Sequence, residues 1–526
     1  MLYLASKVRA FLKGSISRFG LPTAAAISFA LFSNAYTPLN TDLGWMLQFG
    51  RETLAAGLPR YNALSFTEPN HSVFMPEWAS CAALFAIHHA WGAGGLIVAK
   101  WILIALVVFG VCVCVAHATS NLAVRFVVSM LATYFLASGF ELIRSQLITL
   151  CMLPWIVYAG LSGKRLALWA CFPLMIFWVN AHGGHIAGFA LLAALCAALE
   201  LEYRLGATAR AVSTWELLAI IGLSGVAWAV TPYGFSSVQQ TIHHVSDPSR
   251  LYVREWLPLW RWSETNAGER RALAALLVSS AIAIPWIGKT SLRYWVLLGF
   301  ALVTSVSAAR HLRMMPILVA PVLAAALERG LNCLKSLRQT RLELLIAPVS
   351  TVVLVIFVYL WASRADAALR FIDFDTPNPA NAIAVMRENG FCGNVWNDYD
   401  WGGFLIWAAP GSRVACDGRH TLAYSPDLIV RNINFGLTEE DPIETLSRYQ
   451  AELVLLPPSH SALPRLMSRY TPLYCDSDAC LLSSKPEHIA RAREKLIVPT
   501  ERMHPSDFFQ ESALPTPRRC IPVKRQ

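Results

Sequence analysis

The sequence predicts a multi-pass α-helical membrane protein that carries a soluble α/β domain at its C-terminal end. Of its 526 residues, 55% are hydrophobic and only 15% are charged, whereas soluble proteins have about 25% charged residues. Apolar runs near the length that crosses a bilayer core recur along the chain. After residue 362 these runs shorten and turn residues multiply, which indicates the second domain.

About eleven membrane spans are expected within a transmembrane domain covering residues 1–362. They are placed near 20–36, 95–117, 124–140, 146–162, 166–181, 185–201, 214–231, 271–287, 294–309, 313–328 and 344–362. The segment 77–91 is too short to cross comfortably and has a histidine pair near its end. A helix lying at the membrane interface is therefore expected there.

Basic residues in short loops predict the orientation of the chain. They occur in the N-terminal tail and then in alternate loops: Lys7, Arg9, Lys13, Arg18, Arg125, Lys164, Arg165, Arg204, Arg210, Lys289, Arg293, Arg329, Lys335, Arg338 and Arg341. This side is expected to be cytoplasmic, with an uncleaved signal anchor at the N-terminus. An odd number of spans places the C-terminal domain outside the cytoplasm, on the side of the first outer loop, residues 37–94.

Residues 363–526 are expected to alternate helices with strands, which is typical of an α/β domain. Helices are predicted within 378–389, 444–450 and 461–470, and strands within 393–397, 412–416 and 451–457. Cys475 and Cys480 flank the predicted turn "DSDA", and Cys392 and Cys416 lie near neighbouring predicted strands. Disulfides in an oxidising compartment and buried free thiols are both open interpretations.

The bulk numbers exclude two other classes of protein. The net charge of +10 comes from scattered short clusters and not from one basic block, which argues against nucleic acid as a partner. The twelve cysteines form no CxxC pair and no zinc spacing, so a metal ribbon is not expected.

Unusual polar residues collect in loops that this topology places on one membrane face. The segments are "NAHGGH" at 180–185, "ELIRSQ" at 141–146, "TPYG" at 231–234, "VREW" at 253–256, "ARHLRMM" at 309–315 and the first outer loop. Each has a plainer interpretation, since a loop Asp is often a cap, a hairpin His a packing residue, and an Arg or Lys a snorkelling one. Their collection on one face favours a shared site.

Arginine and lysine at a membrane surface suit a phosphate, because they supply positive charge and forked donors. A lipid-linked phosphate would lie there with its tail in the bilayer. Carboxylates beside it would deprotonate or orient a hydroxyl or amine acceptor. Carboxylates beside arginine and lysine fit glycosyl transfer from a polyprenyl phosphate, because the positive charges stabilise the charged leaving group.

The order of these motifs resembles the GT-C superfamily of integral membrane glycosyltransferases, in particular bacterial members with a C-terminal periplasmic domain. The matching segments are "TDLGWMLQFGRETLAAGLPRYNALSFT" at 41–67, "PEW" at 76–78, "IRSQL" at 143–147, "NAHGGHIAG", "TPYG", "REW", "NDYDWGGFLIW" at 397–407 and "CDGRHTLAY" at 416–424. The chain departs from the pattern by lacking the proline of an Arg-Pro-Gln motif and by having one acid at the key position of the first loop.

The residues and the resemblance together predict a periplasm-facing active site in a bacterial inner membrane. Asp42 is the predicted general base or acceptor-orienting acid, and Glu77 and Glu141 are supporting acids. The predicted donor- and acceptor-binding residues are Lys100, Arg144, His182, His185, Tyr233, Glu255, Arg310, His311, Arg313, Asp417 and Arg419. For Asp417 and Arg419, a structural ion pair under a turn is an equally open interpretation.

The expected partners are a polyprenyl-phosphate-linked sugar and membrane lipid, and the sequence does not identify the acceptor. A divalent metal, Mg²⁺ or Mn²⁺, is used in part of the superfamily, and Asp42, Glu77 and His182 could supply ligands. Two other functions stay open. One is a transporter or flippase for a lipid-linked or anionic solute, and the other is a non-catalytic scaffold that binds lipid carriers.

Overall fold

The computed structural model describes residues 20–259, 261, 267–288, 291–333, 339–363, 369–373 and 377–510. Several of the basic residues that predict the orientation lie outside these residues: Lys7, Arg9, Lys13, Arg18, Lys289, Lys335 and Arg338.

Each of the eleven predicted spans coincides with a helix. These helices are α1 (Leu21–Ser33), α3 (Trp78–Ala118), α4 (Leu122–Ala137), α5 (Gln146–Ser162), α6 (Arg165–Ala181), α7 (His185–Arg204), α8 (Thr214–Val226), α10 (Ala267–Ala283), α11 (Leu292–Ser307), α12 (Met315–Cys333) and α13 (Gln339–Ala362). Within the described ranges, three helical segments have both the length and the hydropathy to cross a bilayer: Trp78–Ala118, His185–Arg204 and Ala309–Cys333. The number of spans therefore stays a prediction.

Helix α3 joins two elements that the sequence separates. The expected interfacial helix and the following span form one 41-residue run that is interrupted at Gly92, where φ is 59° and ψ is −154°. A side chain would strain this left-handed backbone, so glycine permits the change of direction. The part before Gly92 packs against α2 (Asp42–Ala56), where Gly50 approaches Cys81.

Helix α2 (Asp42–Ala56) lies within the predicted first outer loop, in a part where no helix is predicted. Residues 43–50 are all buried, because the helix lies between α3 and α15 (Gly402–Ala408). Gly44 and Gly403 face each other so closely that a Cβ on either glycine would overlap the backbone opposite. This contact brings the start of α2 against the C-terminal region.

The C-terminal region contains a five-stranded sheet with the order β4-β3-β5-β7-β6. Its strands are β3 (Asn394–Asn397), β4 (Arg413–Val414), β5 (Leu453–Leu456), β6 (Thr471–Cys475) and β7 (Cys480–Ser483). Strand β3 pairs in parallel with β4 and β5, whereas β7 is antiparallel to β5 and β6. The three strands expected from the sequence are confirmed, and β6 and β7 are additional.

The helices of this region connect the strands and flank the sheet. The three expected helices are confirmed as α14 (Ala380–Asn389), α17 (Pro442–Arg448) and α18 (Leu463–Leu466). The further helices along the chain are α9 (Ser236–Ser246), α16 (Pro426–Ile433), α19 (Pro486–Glu494) and α20 (Asp507–Gln510).

The cysteines of this region follow both open interpretations. Cys475 and Cys480 form a disulfide that closes the β6–β7 hairpin. Cys416 carries a free, buried thiol, so it is not bonded to Cys392.

Two short pairings connect the first loop to the C-terminal region. Strands β1 (Thr37–Pro38) and β2 (Phe371–Ile372) pair in parallel, and the Leu39 amide donates to the Ile372 carbonyl at 2.8 Å. Farther along, the Phe66 amide donates to the Val414 carbonyl at 3.2 Å. The backbone on both sides of α2 is therefore fixed to the segment that follows α13.

Candidate active site

Four charged side chains from four separate segments form one ion-pair chain, which we call the arginine–carboxylate cluster: Asp42, Arg144, Glu255 and Arg310. Arg144 pairs with Asp42 (Nη2 to Oδ2, 3.1 Å) and with Glu255 (Nη1 to Oε2, 3.2 Å). Arg310 approaches the other oxygen of Glu255 (Nη1 to Oε1, 3.3 Å). All four were predicted as site residues, and the fold brings them into contact.

The position of Asp42 is fixed by its immediate neighbours. The Trp45 indole donates to Asp42 Oδ1 at 3.1 Å. The side-chain oxygen of Asn40 accepts from the Asp42 amide at 3.1 Å and from Arg144 Nη2 at 3.4 Å. Because Asp42 is the first residue of α2, the helix dipole also favours its negative charge.

Arg310 and Arg313, the other two arginines near Glu255, are each held by a further contact. The Arg310 guanidinium lies 4.1 Å from the centroid of the Trp256 ring, a cation–π contact. Arg313 donates from Nη1 to Gln146 Oε1 at 2.8 Å. Three guanidinium groups, those of Arg144, Arg310 and Arg313, thus lie within electrostatic range of Glu255.

The two carboxylates on Arg144 have opposite pKa shifts. Burial raises the pKa of Asp42 above its usual value, and the charge of Arg144 offsets only part of that effect. Burial also acts to raise the pKa of Glu255, but Arg310 and Arg144 outweigh it and hold that pKa below its usual value. Environments that separate two pKa values in this way distinguish a proton acceptor from a permanent charge.

Glu77 lies within electrostatic range of the cluster. Burial raises the pKa of Glu77, against the effect of a hydrogen bond from Ser145. The charge of Asp42 raises it further, and the charge of Arg310 lowers it.

The Lys100 side chain contacts the backbone of Glu141 and not its carboxylate. Lys100 is only 1% exposed, and its Nζ donates to the carbonyl oxygens of Glu141 at 3.2 Å and Tyr36 at 3.4 Å. The Glu141 residue itself is exposed. Lys100 therefore joins two loops next to the cluster, and its phosphate-binding role stays a prediction.

The two hairpin histidines have different surroundings. His182 Nδ1 lies 2.7 Å from the Thr149 hydroxyl, and Arg310 is close enough to affect the charge of the His182 ring. His185 is buried, with Nδ1 3.2 Å from the His182 carbonyl oxygen and its ring edge-on to Trp228 at 4.9 Å. His182 is therefore a neighbour of the cluster, whereas His185 contacts the backbone of His182.

Tyr233 and His311 contact loops at the edge of the site. The Tyr233 hydroxyl accepts from the Met75 amide at 3.2 Å, which fixes the segment before Glu77. His311 Nδ1 lies 3.1 Å from the Ser307 hydroxyl, and its ring meets Trp256 edge-on at 6.1 Å.

Asp417 and Arg419 form a buried ion pair, with 0% and 2% of their side chains exposed. Arg419 Nη2 lies 2.7 Å from Asp417 Oδ2 and 2.9 Å from Asn62 Oδ1, and it also reaches Tyr424. This geometry favours the structural interpretation, because the pair fastens the first loop to the C-terminal region. Its proposed binding role is untested.

The "NDYDWGG" segment also approaches the cluster. Burial raises the pKa of Asp400, and the nearby charges of Asp398 and Asp42 raise it further. A Cβ on Gly418, in the "CDGRH" segment, would overlap Asp42 Oδ1. Both distinctive segments of the C-terminal region therefore lie beside Asp42.

Two cavities lie elsewhere. One has a volume of about 10 Å³ beside the hairpin and is lined by Trp78, His185, Trp228 and Tyr233, among others. The other, about 270 Å³, lies between α16 and α17 and is lined by Arg431, Phe435 and Glu440, among others. No member of the cluster lines either cavity.

In the part of the chain that the structure describes, no three His, Cys, Asp or Glu side chains come together as a metal site requires. Asp42, Glu77 and His182 thus do not form such a group.

Sequence reasoning missed several residues that hold the cluster in place. They are Asn40, Trp45, Ser145, Gln146 and Thr149. Most stand within three residues of a predicted site residue. Their closeness in sequence to a predicted site residue was thus the signal that could have found them. Thr149 has no such neighbour in sequence, and only the fold identifies it.

No family model and no curated protein sequence matches this chain. Among solved structures, it is similar to the Archaeoglobus fulgidus oligosaccharyltransferase tethered with an acceptor peptide containing the NVT sequon. The TM-score is 0.52 at 11% identity, covering 84% of this chain and 69% of that one. It is also similar to ArnT from Cupriavidus metallidurans bound to undecaprenyl phosphate, with a TM-score of 0.50 at 11% identity, covering 88% of this chain and 97% of that one.

The structural similarity shows a shared fold. At 11% sequence identity, it does not show a shared activity. The similarity extends over most of the chain. The chain shares the fold of these two proteins, in agreement with the fold that the resemblance to the GT-C superfamily predicts.

Proposed function

We propose that this protein is a membrane glycosyltransferase that moves a sugar from a polyprenyl-phosphate carrier to an acceptor at the periplasmic face. The observation that carries the proposal is the arginine–carboxylate cluster, assembled from four separate segments within a GT-C fold. The undecaprenyl phosphate bound to ArnT supports a lipid-linked donor.

Arg144, Arg310 and Arg313 would bind the phosphate of the donor. Guanidinium groups offer forked donors that match phosphate oxygens, and their charge stabilises the phosphate as it departs. Glu255 holds Arg144 and Arg310 in a fixed relation through separate oxygens. Preorganised charges of this kind need no rearrangement at the moment of reaction.

Asp42 would act as the general base. A nucleophilic oxygen or nitrogen of the acceptor attacks the anomeric carbon, and its proton passes to Asp42. The bond between the anomeric carbon and the phosphate oxygen breaks, and its electron pair leaves with the polyprenyl phosphate. The raised pKa of Asp42 makes this carboxylate a stronger base than an exposed one.

The test uses purified protein in lipid nanodiscs, incubated with a panel of undecaprenyl-phosphate sugars and bacterial membrane extract as the source of acceptor. Released undecaprenyl phosphate is measured. Asp42→Asn should lower release at least a hundredfold, on the order of the contribution of a general base. Glu439→Gln, the matched loss of an exposed carboxylate, should release at the wild-type rate.

Two outcomes would contradict the proposal. Release by Asp42→Asn at the wild-type rate would remove Asp42 from the reaction. Movement of the intact carrier across liposome membranes without release of sugar would support a flippase instead.

A further inference from the structure

The ring of His182 is held by two hydrogen-bonding neighbours on the same nitrogen. The Gly184 amide lies 3.0 Å from His182 Nδ1, and the Thr149 hydroxyl lies 2.7 Å from it. The Trp178 indole nitrogen in turn lies 3.0 Å from the Thr149 oxygen. These contacts determine where the proton of the imidazole is.

A backbone amide can only donate a hydrogen bond, so His182 Nδ1 must accept from Gly184. The indole of Trp178 also only donates, so the Thr149 oxygen accepts from it and directs its own proton to His182 Nδ1. An imidazole with its lone pair at Nδ1 carries its proton at Nε2. Placing a proton on Nδ1 would break both bonds, which favours the neutral ring.

The glycines of the "HGGHIAG" segment are required by this arrangement. A Cβ on Gly184 would overlap the Thr149 hydroxyl, and a Cβ on Gly188 would overlap the Trp178 ring. A Cβ on Gly183 would meet its nearest neighbour, a side-chain carbon of Pro76, at 3.9 Å, which is ordinary contact. Gly184 and Gly188 thus allow the chain from Trp178 through Thr149 to His182.

The neighbouring histidine has the opposite proton placement. His185 Nδ1 lies 3.2 Å from the backbone carbonyl oxygen of His182. A carbonyl only accepts, so the proton of a neutral His185 is on Nδ1. The two rings, three residues apart, are therefore different tautomers.

The Nε2 of His182 has no hydrogen-bond partner among the described residues. The His182 residue is partly exposed. Arg310 of the arginine–carboxylate cluster is an electrostatic neighbour of the ring.

We propose that His182 donates an uncharged Nε2–H hydrogen bond to a phosphate oxygen of the lipid-linked donor, beside Arg310. Thr149 and Trp178 are positioning residues that fix this tautomer. The inference rests on the proposed function, because it assigns His182 to phosphate binding and not to proton transfer.

The first test measures the tautomers directly. Protein with ¹⁵N-labelled histidine is studied by NMR in nanodiscs, and the signals of His182 and His185 are assigned by their loss in His182→Gln and His185→Gln. His182 should show a protonated Nε2 and His185 a protonated Nδ1. Thr149→Val should broaden or shift the His182 signals, and the conservative Thr149→Ser should restore them. A protonated Nδ1 on wild-type His182 would overturn the proposal.

The second test measures the affinity for undecaprenyl phosphate. His182→Ala should weaken binding about tenfold to a hundredfold, the range expected for one hydrogen bond to a charged group. His182→Gln should recover most of this loss, because its amide supplies a donor without a titrating proton. Gly184→Ala should weaken binding by displacing Thr149, whereas Gly183→Ala should bind as the wild type does.

The outcomes separate this inference from the proposed function. Equal affinity of His182→Ala and wild type would overturn the inference even where sugar release is observed. Weaker binding by His182→Ala without sugar release from any donor would support the inference and contradict the transferase. A wild-type protein that does not bind undecaprenyl phosphate would overturn both.

Discussion

At the scale of single residues, one guanidinium connects two carboxylates with different roles. Arg144 pairs with Asp42 at 3.1 Å and with Glu255 at 3.2 Å. Burial dominates at Asp42 and raises its pKa, whereas two arginines dominate at Glu255 and lower its pKa. Near neutral pH, Glu255 therefore stays charged while Asp42 is the easier of the two to protonate.

This difference predicts an acid limb in the rate of sugar release. If Asp42 is the base, the rate should fall as the pH drops through its pKa, with an inflection above the ordinary value of 3.8. Glu255 raises the pKa of Asp42 and Arg144 lowers it. Glu255→Gln should thus move the inflection to lower pH, and Arg144→Gln should move it to higher pH. Both are measured as residual rate against pH.

Shifts of the same sign in both variants, or an inflection that neither variant moves, would contradict the assignment of Asp42 as the titrating base. The control is Glu439→Gln, whose profile should superimpose on that of the wild type.

The charged members of the cluster were predictable from sequence because charge near a membrane is costly and therefore informative. Asn40 and Trp45 gave no such signal, because neutral polar residues are common in loops. Lys100 shows the limit of the reasoning. Its charge made it a candidate phosphate ligand, but its bonds to the carbonyls of Tyr36 and Glu141 depend on how two loops pack.

At the scale of elements, the shortest ones escaped prediction. Strands β1 and β2 have two residues each, too few for an alternating pattern to develop. Helix α2 was missed for another reason. Its eight consecutive buried residues, 43–50, leave no polar face, because α3 and α15 cover it on different sides. The sequence therefore lacks the one-sided apolar pattern of a surface helix.

Helix α20 should stabilise the contact between the C-terminal region and α3. The Phe509 side chain is 0% exposed, its carbonyl oxygen lies 2.9 Å from His88 Nε2, and the carbonyl of Phe508 accepts from the Trp407 indole at 2.9 Å. Phe509→Ala should lower the free energy of unfolding by about 3–5 kcal/mol, as is typical of a buried Phe→Ala change.

The measurement is the thermal midpoint in nanodiscs together with hydrogen exchange of the backbone at 78–91. Exchange there should rise in Phe509→Ala. Met467→Ala, at a side chain that is 48% exposed, should leave both readouts unchanged. An unchanged midpoint in Phe509→Ala would show that α20 contributes little to stability.

At the scale of the whole molecule, composition predicted a membrane protein, and the predicted fold agrees with that of the oligosaccharyltransferase and of ArnT. The number of spans was not settled, because most of the described apolar helices have 10–17 residues and are shorter than a bilayer core requires. Length alone does not distinguish a tilted or paired span from a partly inserted helix.

The orientation can be tested with a natural thiol. Cys333, at the end of α12, is the one free cysteine that is exposed among the described residues. The expected topology places it in the cytoplasm, so a membrane-impermeant maleimide should label it in inverted vesicles and not in spheroplasts. Cys333→Ser should lose the label. Labelling of Cys333 in spheroplasts would reverse the proposed orientation.

The pairing of Thr37–Pro38 with Phe371–Ile372 has a consequence for biogenesis. The backbone that leads into Asp42 gains this partner only after the ribosome has translated all of the predicted membrane domain, residues 1–362. In a nascent chain, Asp42 therefore lacks this neighbouring strand until the start of the C-terminal region has been made. For the proposed transferase, the order of translation would thus keep a half-made protein from consuming the lipid carrier.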